Sequence, residues 1–148
     1  MQDPVDSFAE HYRRVFGDGH YDPGFIARFY EIFMGKSPDV ARRFDNTNMS
    51  VQKTMLHDSL HYLLHFAHSR QARDYMDRVA RMHGKSAYDI PPNLYDLWEA
   101  SLLEAVRERD PDFDDEVELA WRVALAPGIT YMKFCYDMPG NGGAQPDR

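Results

Sequence analysis

The sequence predicts an all-α protein of about six to eight helices. Three observations lead to that class. Apolar residues recur at three- and four-residue spacing through most of the chain, which places them on one side of successive helices. Prolines and glycines stand where those runs begin and end, and no segment alternates apolar and polar residues for long enough to make a strand.

Taken in order, Val5, Phe8, Tyr12, Val15 and Phe16 carry a first helix that Gly17 and Gly19 end. Asp22-Pro23 opens a second, because a proline in the first turn forfeits an N–H that has no helical partner anyway. Its apolar side is Phe25, Ile26, Phe29, Tyr30 and Phe33, and it stops near Gly35. Ser37-Pro38-Asp39 reads as the cap and first turn of a short third helix reaching about Phe44, followed by the polar loop Asp45-Asn46-Thr47-Asn48. Val51, Met55, Leu56, Leu60, Leu63 and Leu64 mark a long helix expected to reach about His68. Tyr75, Met76, Val79 and Met82 mark the next, ending at His83-Gly84, since glycine is favoured just past a helix terminus. Pro91-Pro92 starts a helix bearing Leu94, Leu97, Trp98, Leu102 and Val106. A last one runs from about Asp114 to about Tyr136, with Pro127 predicting a kink or a break.

The 148 residues are 43% apolar and 14% aromatic, enough to bury a core, so one domain is expected over residues 1–138. Residues 139–148, small and polar, are expected to form a flexible tail. Seventeen Lys and Arg against 24 Asp and Glu leave a net charge of -7, which argues against nucleic acid and anionic membranes as partners. Cys135 is alone, so neither an internal disulfide nor a cysteine cluster for metal is available. The opening Met1-Gln2-Asp3-Pro4-Val5-Asp6 lacks the basic start and apolar run of a signal peptide, and no stretch has the length of a membrane span. The cytoplasm is the expected compartment.

Two histidine patterns stand out. His83 lies at a helix end, where one ring nitrogen is able to donate to a carbonyl near Val79, one turn back, while the other binds a metal ion. By itself this placement also reads as an ordinary cap on the helix dipole. His57, His61, His65 and His68 are spaced four, four and three apart on one side of a helix. Without a carboxylate or cysteine at a matching position, that row reads as a solvated face.

Phe29-Tyr30, then Pro38, Phe44, Met49, Gln52 and Leu56, then His83, Ile90, Tyr95 and Trp121, form an ordered set. In it the chain resembles bacterial single-domain globins and the globin domain of flavohaemoglobins, over roughly residues 5–137. The resemblance implies a globin fold enclosing a pocket for haem b, iron protoporphyrin. His83 falls where the family has its proximal iron ligand. Phe44 falls at the haem-stacking phenylalanine, and Leu56, Val79, Ile90 and Tyr95 fall at positions lining the macrocycle. It further implies that Tyr30 and Gln52 face the gas ligand, where oxygen gains negative charge and a hydrogen bond to it is worth about 1.5–3 kcal/mol. Placing His57 there instead would bring polar His61 to the haem face and remove Leu56 from it, so that register is rejected.

The chain also departs from the flavohaemoglobin pattern. No reductase domain is expected, since residues 139–148 are too few to supply one. The segment between His83 and Tyr95 looks slightly longer, and Tyr136 falls near the place of a last-helix glutamate. The implied function is reversible binding of oxygen or another diatomic gas for storage, delivery or sensing. The alternative is a nitric-oxide dioxygenase dependent on a separate reductase. A third reading, a haem-free regulatory module of the same fold, is disfavoured by the intact His83, Phe44 and Tyr30. The oligomeric state is left open.

Overall fold

The computed structural model describes residues 4–17 and 22–138. Among them are seven α-helices, a closing 3₁₀ turn and no strand. The expected tail, residues 139–148, and Gly19 lie outside the described residues.

The helix boundaries follow local chemistry. α1 (Pro4–Phe16) ends at Gly17, whose φ of 65° is the left-handed conformation a side chain would oppose. α2 (Pro23–Gly35) is capped by the Asp22 carboxylate, which accepts the Phe25 N–H at 3.0 Å. α3 (Pro38–Arg43) is capped by Ser37 in the same way, with Val40 N–H donating at 3.2 Å. Asn48 Oδ1 accepts from Ser50 and Val51 at the start of α4 (Met49–Leu64). Ser69 caps α5 (Arg70–His83) and Asp114 caps α7 (Asp115–Phe134), while α6 (Pro92–Arg109) begins at the second proline of its pair.

Two boundaries differ from expectation. α4 stops at Leu64 rather than near His68, because tighter bonds from Phe66 N–H to Leu63 and from His68 N–H to His65 close its end. Ser69 already caps the next helix, so the chain has to leave α4 before it. α7 runs unbroken through Pro127. That residue is exposed, so the carbonyl it leaves unpaired is open to water. The chain from Cys135 to Asp137 then tightens into the 3₁₀ turn instead of continuing the helix to Tyr136.

Contacts group the chain into two compact units. The first comprises residues 1–58 with 97–124. Its core holds Phe16, Phe25, Ile26, Phe29, Leu102, Val106 and Trp121, all essentially buried. Phe8 and Trp121 meet edge to face at 4.9 Å, as do Phe16 and Phe25 at 4.7 Å. Arg14 donates two hydrogen bonds to Asp110, whose side chain is fully buried.

Burial by itself pushes the Asp110 carboxyl up, but the bonds from Arg14 and from Asp112 N–H outweigh it and hold it below the usual carboxylate range. A depressed carboxyl contributes stability above its unfolded value, near pH 4, and loses it as pH falls through the lower folded value. Asp110→Asn is therefore expected to cost about 2 kcal/mol at neutral pH, discounted from a fully buried pair because Arg14 is partly exposed. It is also expected to flatten the acid loss of stability. Denaturant unfolding at neutral pH and in acid measures both effects.

The second unit comprises residues 59–96 with 125–148. Leu60, Leu63, Ala72, Met76, Ala80, Leu94, Leu125, Ile129 and Met132 are among its buried apolar residues. Gly128 lets α7 approach α4 closely, since a Cβ there would meet Leu63 Cδ1 at 2.3 Å and Leu63 O at 3.1 Å. Tyr131 Oη donates to Asp77, and its ring packs on Phe66 at 5.0 Å.

Candidate functional site

Four of the eight residues singled out from the sequence lie in the first unit. Tyr30, on the inward side of α2, is 3% exposed and contacts Phe29 at 5.0 Å and Phe44 at 5.6 Å, both edge to face. Phe44 follows the last residue of α3, and its ring also meets Phe33 at 6.1 Å. The Ser37 cap starts α3 and Phe44, leaving the helical conformation at a φ of -104°, ends it after six residues, with the Phe44 ring against Tyr30 and Phe33 of α2. Gln52 lies in the first turn of α4, where its N–H donates to Asn48 O at 3.0 Å. Its side-chain Nε2 donates to Tyr30 Oη at 3.1 Å. Leu56, one turn on, is buried. The structure thus joins Tyr30, Gln52 and Phe44 through direct side-chain contacts, with a polar pair set among aromatic rings.

Val79, His83, Ile90 and Tyr95 lie in the second unit. His83, the last residue of α5, is mostly buried, and its Nδ1 lies 2.8 Å from Val79 O. A carbonyl only accepts, so Nδ1 carries the proton and the lone pair of the neutral ring resides on Nε2. Burial pushes the imidazole below its usual value, and the bond to Val79 opposes that only in part. The ring is therefore neutral at pH 7. Among the described residues no hydrogen bond engages Nε2. Tyr95 is largely buried, and desolvation pushes its phenol above the usual range, so it stays protonated.

The chain after His83 folds back over the end of α5. Tyr88 N–H donates to Met82 O at 3.0 Å, Asp89 N–H to Gly84 O at 2.9 Å and Ile90 N–H to His83 O at 2.9 Å. These bonds fill carbonyls that a helix end leaves open and hold Ile90 beside His83. Asp89 makes the reversal at a φ of 56°, a conformation aspartate tolerates better than most residues. Tyr88 meets the His83 ring edge-on at 6.2 Å.

The sequence does not identify this strap. Tyr136 Oη donates to Asp89, and Tyr136 O accepts the Lys85 N–H at 3.0 Å, so the end of the chain's last turn pins the 85–89 segment. Tyr136 was legible only as a departure at a glutamate position, and Asp89 carried no signal beyond sitting before Ile90. Tyr136→Phe is expected to raise amide hydrogen exchange of residues 85–90 roughly five- to ten-fold, as loss of one exposed hydrogen bond worth about 1–1.4 kcal/mol implies. Exchange in α2 should not change.

Among the described residues no helix is long and apolar enough to cross a membrane. No family model and no curated protein matches the sequence. A solved structure does: a Pseudomonas aeruginosa PAO1 protein described as structurally highly homologous to a human haemoglobin. It is 33% identical, with a TM-score of 0.79, and the match covers 90% of this chain and 98% of that one. That identity over nearly the whole of both chains, on an all-helical fold, places the protein in the haemoglobin-like globin family.

Proposed function

We propose that the protein binds haem b through His83 and holds oxygen or another diatomic gas reversibly, for storage, delivery or sensing. The observation that carries this reading is the state of His83: a buried, neutral imidazole whose Nδ1 is committed to Val79 O, leaving Nε2 as the nitrogen able to ligate. That donor set is what an iron ligand requires, because the second hydrogen bond sets both tautomer and ring orientation. The relative's description as haemoglobin-like supports it.

Haem, when bound, supplies the iron that takes up the gas. The chain's own residues do the rest. Phe44, Leu56, Val79, Ile90 and Tyr95 provide apolar and aromatic surface for a flat, largely apolar macrocycle. Tyr30 donates to the gas ligand, and Gln52, by donating into Tyr30 Oη, strengthens that hydroxyl as a donor. The same pair serves a second reading: with a separate reductase, the protein would convert nitric oxide and oxygen to nitrate. Fast loss of the oxygenated spectrum on adding nitric oxide, with sustained turnover once a reductase is supplied, selects that reading over carriage.

An absorption spectrum of the purified, haem-reconstituted protein tests the proposal. A strong haem band that shifts reversibly with oxygen and carbon monoxide is the expected result. A chain that retains no haem after reconstitution overturns it.

A further inference from the structure

We propose that Tyr88 is a positioning residue for His83: together with the Val79 carbonyl it fixes the rotation of the imidazole, and so the direction in which Nε2 points. This role rests on the reading of His83 as the iron ligand and adds the residue that aims it.

A histidine ring needs two restraints to be aimed. The torsion about its Cβ–Cγ bond is broad and roughly two-fold, so rotamer preference leaves the ring plane soft. The bond from Nδ1–H to Val79 O, at 2.8 Å, holds one atom of the ring. About that bond the ring is still free to hinge. Tyr88 supplies the second restraint. Its ring stands at 89° to the imidazole with centroids 6.2 Å apart, a perpendicular arrangement that aromatic pairs favour.

Tyr88 is able to hold His83 because its own backbone is tied to the end of the helix that carries His83. Its N–H donates to Met82 O at 3.0 Å, and its neighbours are bonded in the same way, Ala87 N–H to Gly84 O at 3.0 Å and Ile90 N–H to His83 O at 2.9 Å. The tyrosine ring is thus presented to the imidazole from a fixed base, as an outer residue must be if it is to orient a ligand. Among the described residues the Tyr88 hydroxyl makes no hydrogen bond, so the ring is the part that acts. Tyr88 is also 43% exposed, so removing its side chain leaves no sealed cavity, and an effect on His83 is separable from damage to the core.

The test is resonance Raman spectroscopy of the iron–histidine stretch in the haem-reconstituted, deoxygenated ferrous protein. That band reports how the ligating ring sits on the iron, and a loss of stability elsewhere does not move it. In Tyr88→Ala it should shift and broaden, and haem transfer to an acceptor protein should quicken roughly two- to ten-fold, the factor that loss of one aromatic pair implies. Tyr88→Phe, which keeps the ring, should return both to wild-type values. Tyr88→Leu, which keeps apolar bulk without a ring, should leave the band displaced and carries the test if alanine disturbs the strap. Circular dichroism should match the wild type in each. A band identical in Tyr88→Leu and wild type would overturn the proposal, as would a Tyr88→Phe protein that behaves like Tyr88→Ala. A wild-type band that persists in His83→Ala would overturn the reading of His83 itself, and the role of Tyr88 with it.

Discussion

His83→Ala is expected to produce a helical protein that no longer holds haem stably. Losing a metal–ligand bond worth even about 3 kcal/mol weakens binding roughly a hundred-fold, and the apolar residues proposed to contact the macrocycle are untouched. The fold should survive. His83 is the last residue of α5, its one side-chain hydrogen bond is local, and alanine is the best helix former. Circular dichroism should therefore match the wild type while haem content per chain collapses and haem transfer to an acceptor protein accelerates. Added free imidazole should restore part of the binding, because it supplies the missing nitrogen without the chain. Unchanged haem content with an unchanged ferrous spectrum would show that the iron is held elsewhere.

Tyr30→Phe should speed oxygen release roughly ten- to hundred-fold, the factor that loss of a charge-assisted hydrogen bond of about 1.5–3 kcal/mol implies. Carbon monoxide gains little negative charge when held, so its release should change far less. That contrast separates electrostatics from packing. The substitution also preserves shape: a phenylalanine ring keeps the edge-to-face contacts with Phe29 and Phe44, and volume-conserving changes disturb a core least. Gln52→Leu should act in the same direction. Because Gln52 donates directly to Tyr30 Oη, the double variant should fall short of the product of the single effects. Stopped-flow oxygen release from the three variants decides the matter, and equal rates in wild type and Tyr30→Phe would remove Tyr30 from the ligand's surroundings.

Much of the helical framework is legible in the sequence because its boundaries are local events. Asp22-Pro23 and Ser37-Pro38 announce a cap and a first turn within a few residues, and Gly17 supplies the one left-handed residue that α1 needs to end. The ends that depart from expectation are those where a neighbour intervenes. α4 yields its last turn to the Ser69 cap of α5, and α7 gives way to a 3₁₀ turn where Tyr136 reaches the strap after His83. Pro127 does not break α7, because on an exposed side the unpaired carbonyl costs little.

The same division runs through the candidate site. His83 and its bond to Val79 are readable from sequence, since four-residue spacing at a helix end brings those groups together whatever else the chain does. The Gln52–Tyr30 bond, the Phe44–Tyr30 contact and the Tyr136–Asp89 tie join residues 22, 14 and 47 positions apart in the chain. Spacing along a helix says nothing about such pairs. By itself the sequence determined which segments become helices and which residues share a face, because those follow from backbone hydrogen bonding and a 3.6-residue repeat. Tertiary packing alone decided which donor meets which acceptor, because it selects one arrangement of those faces among many that the same periodicity allows.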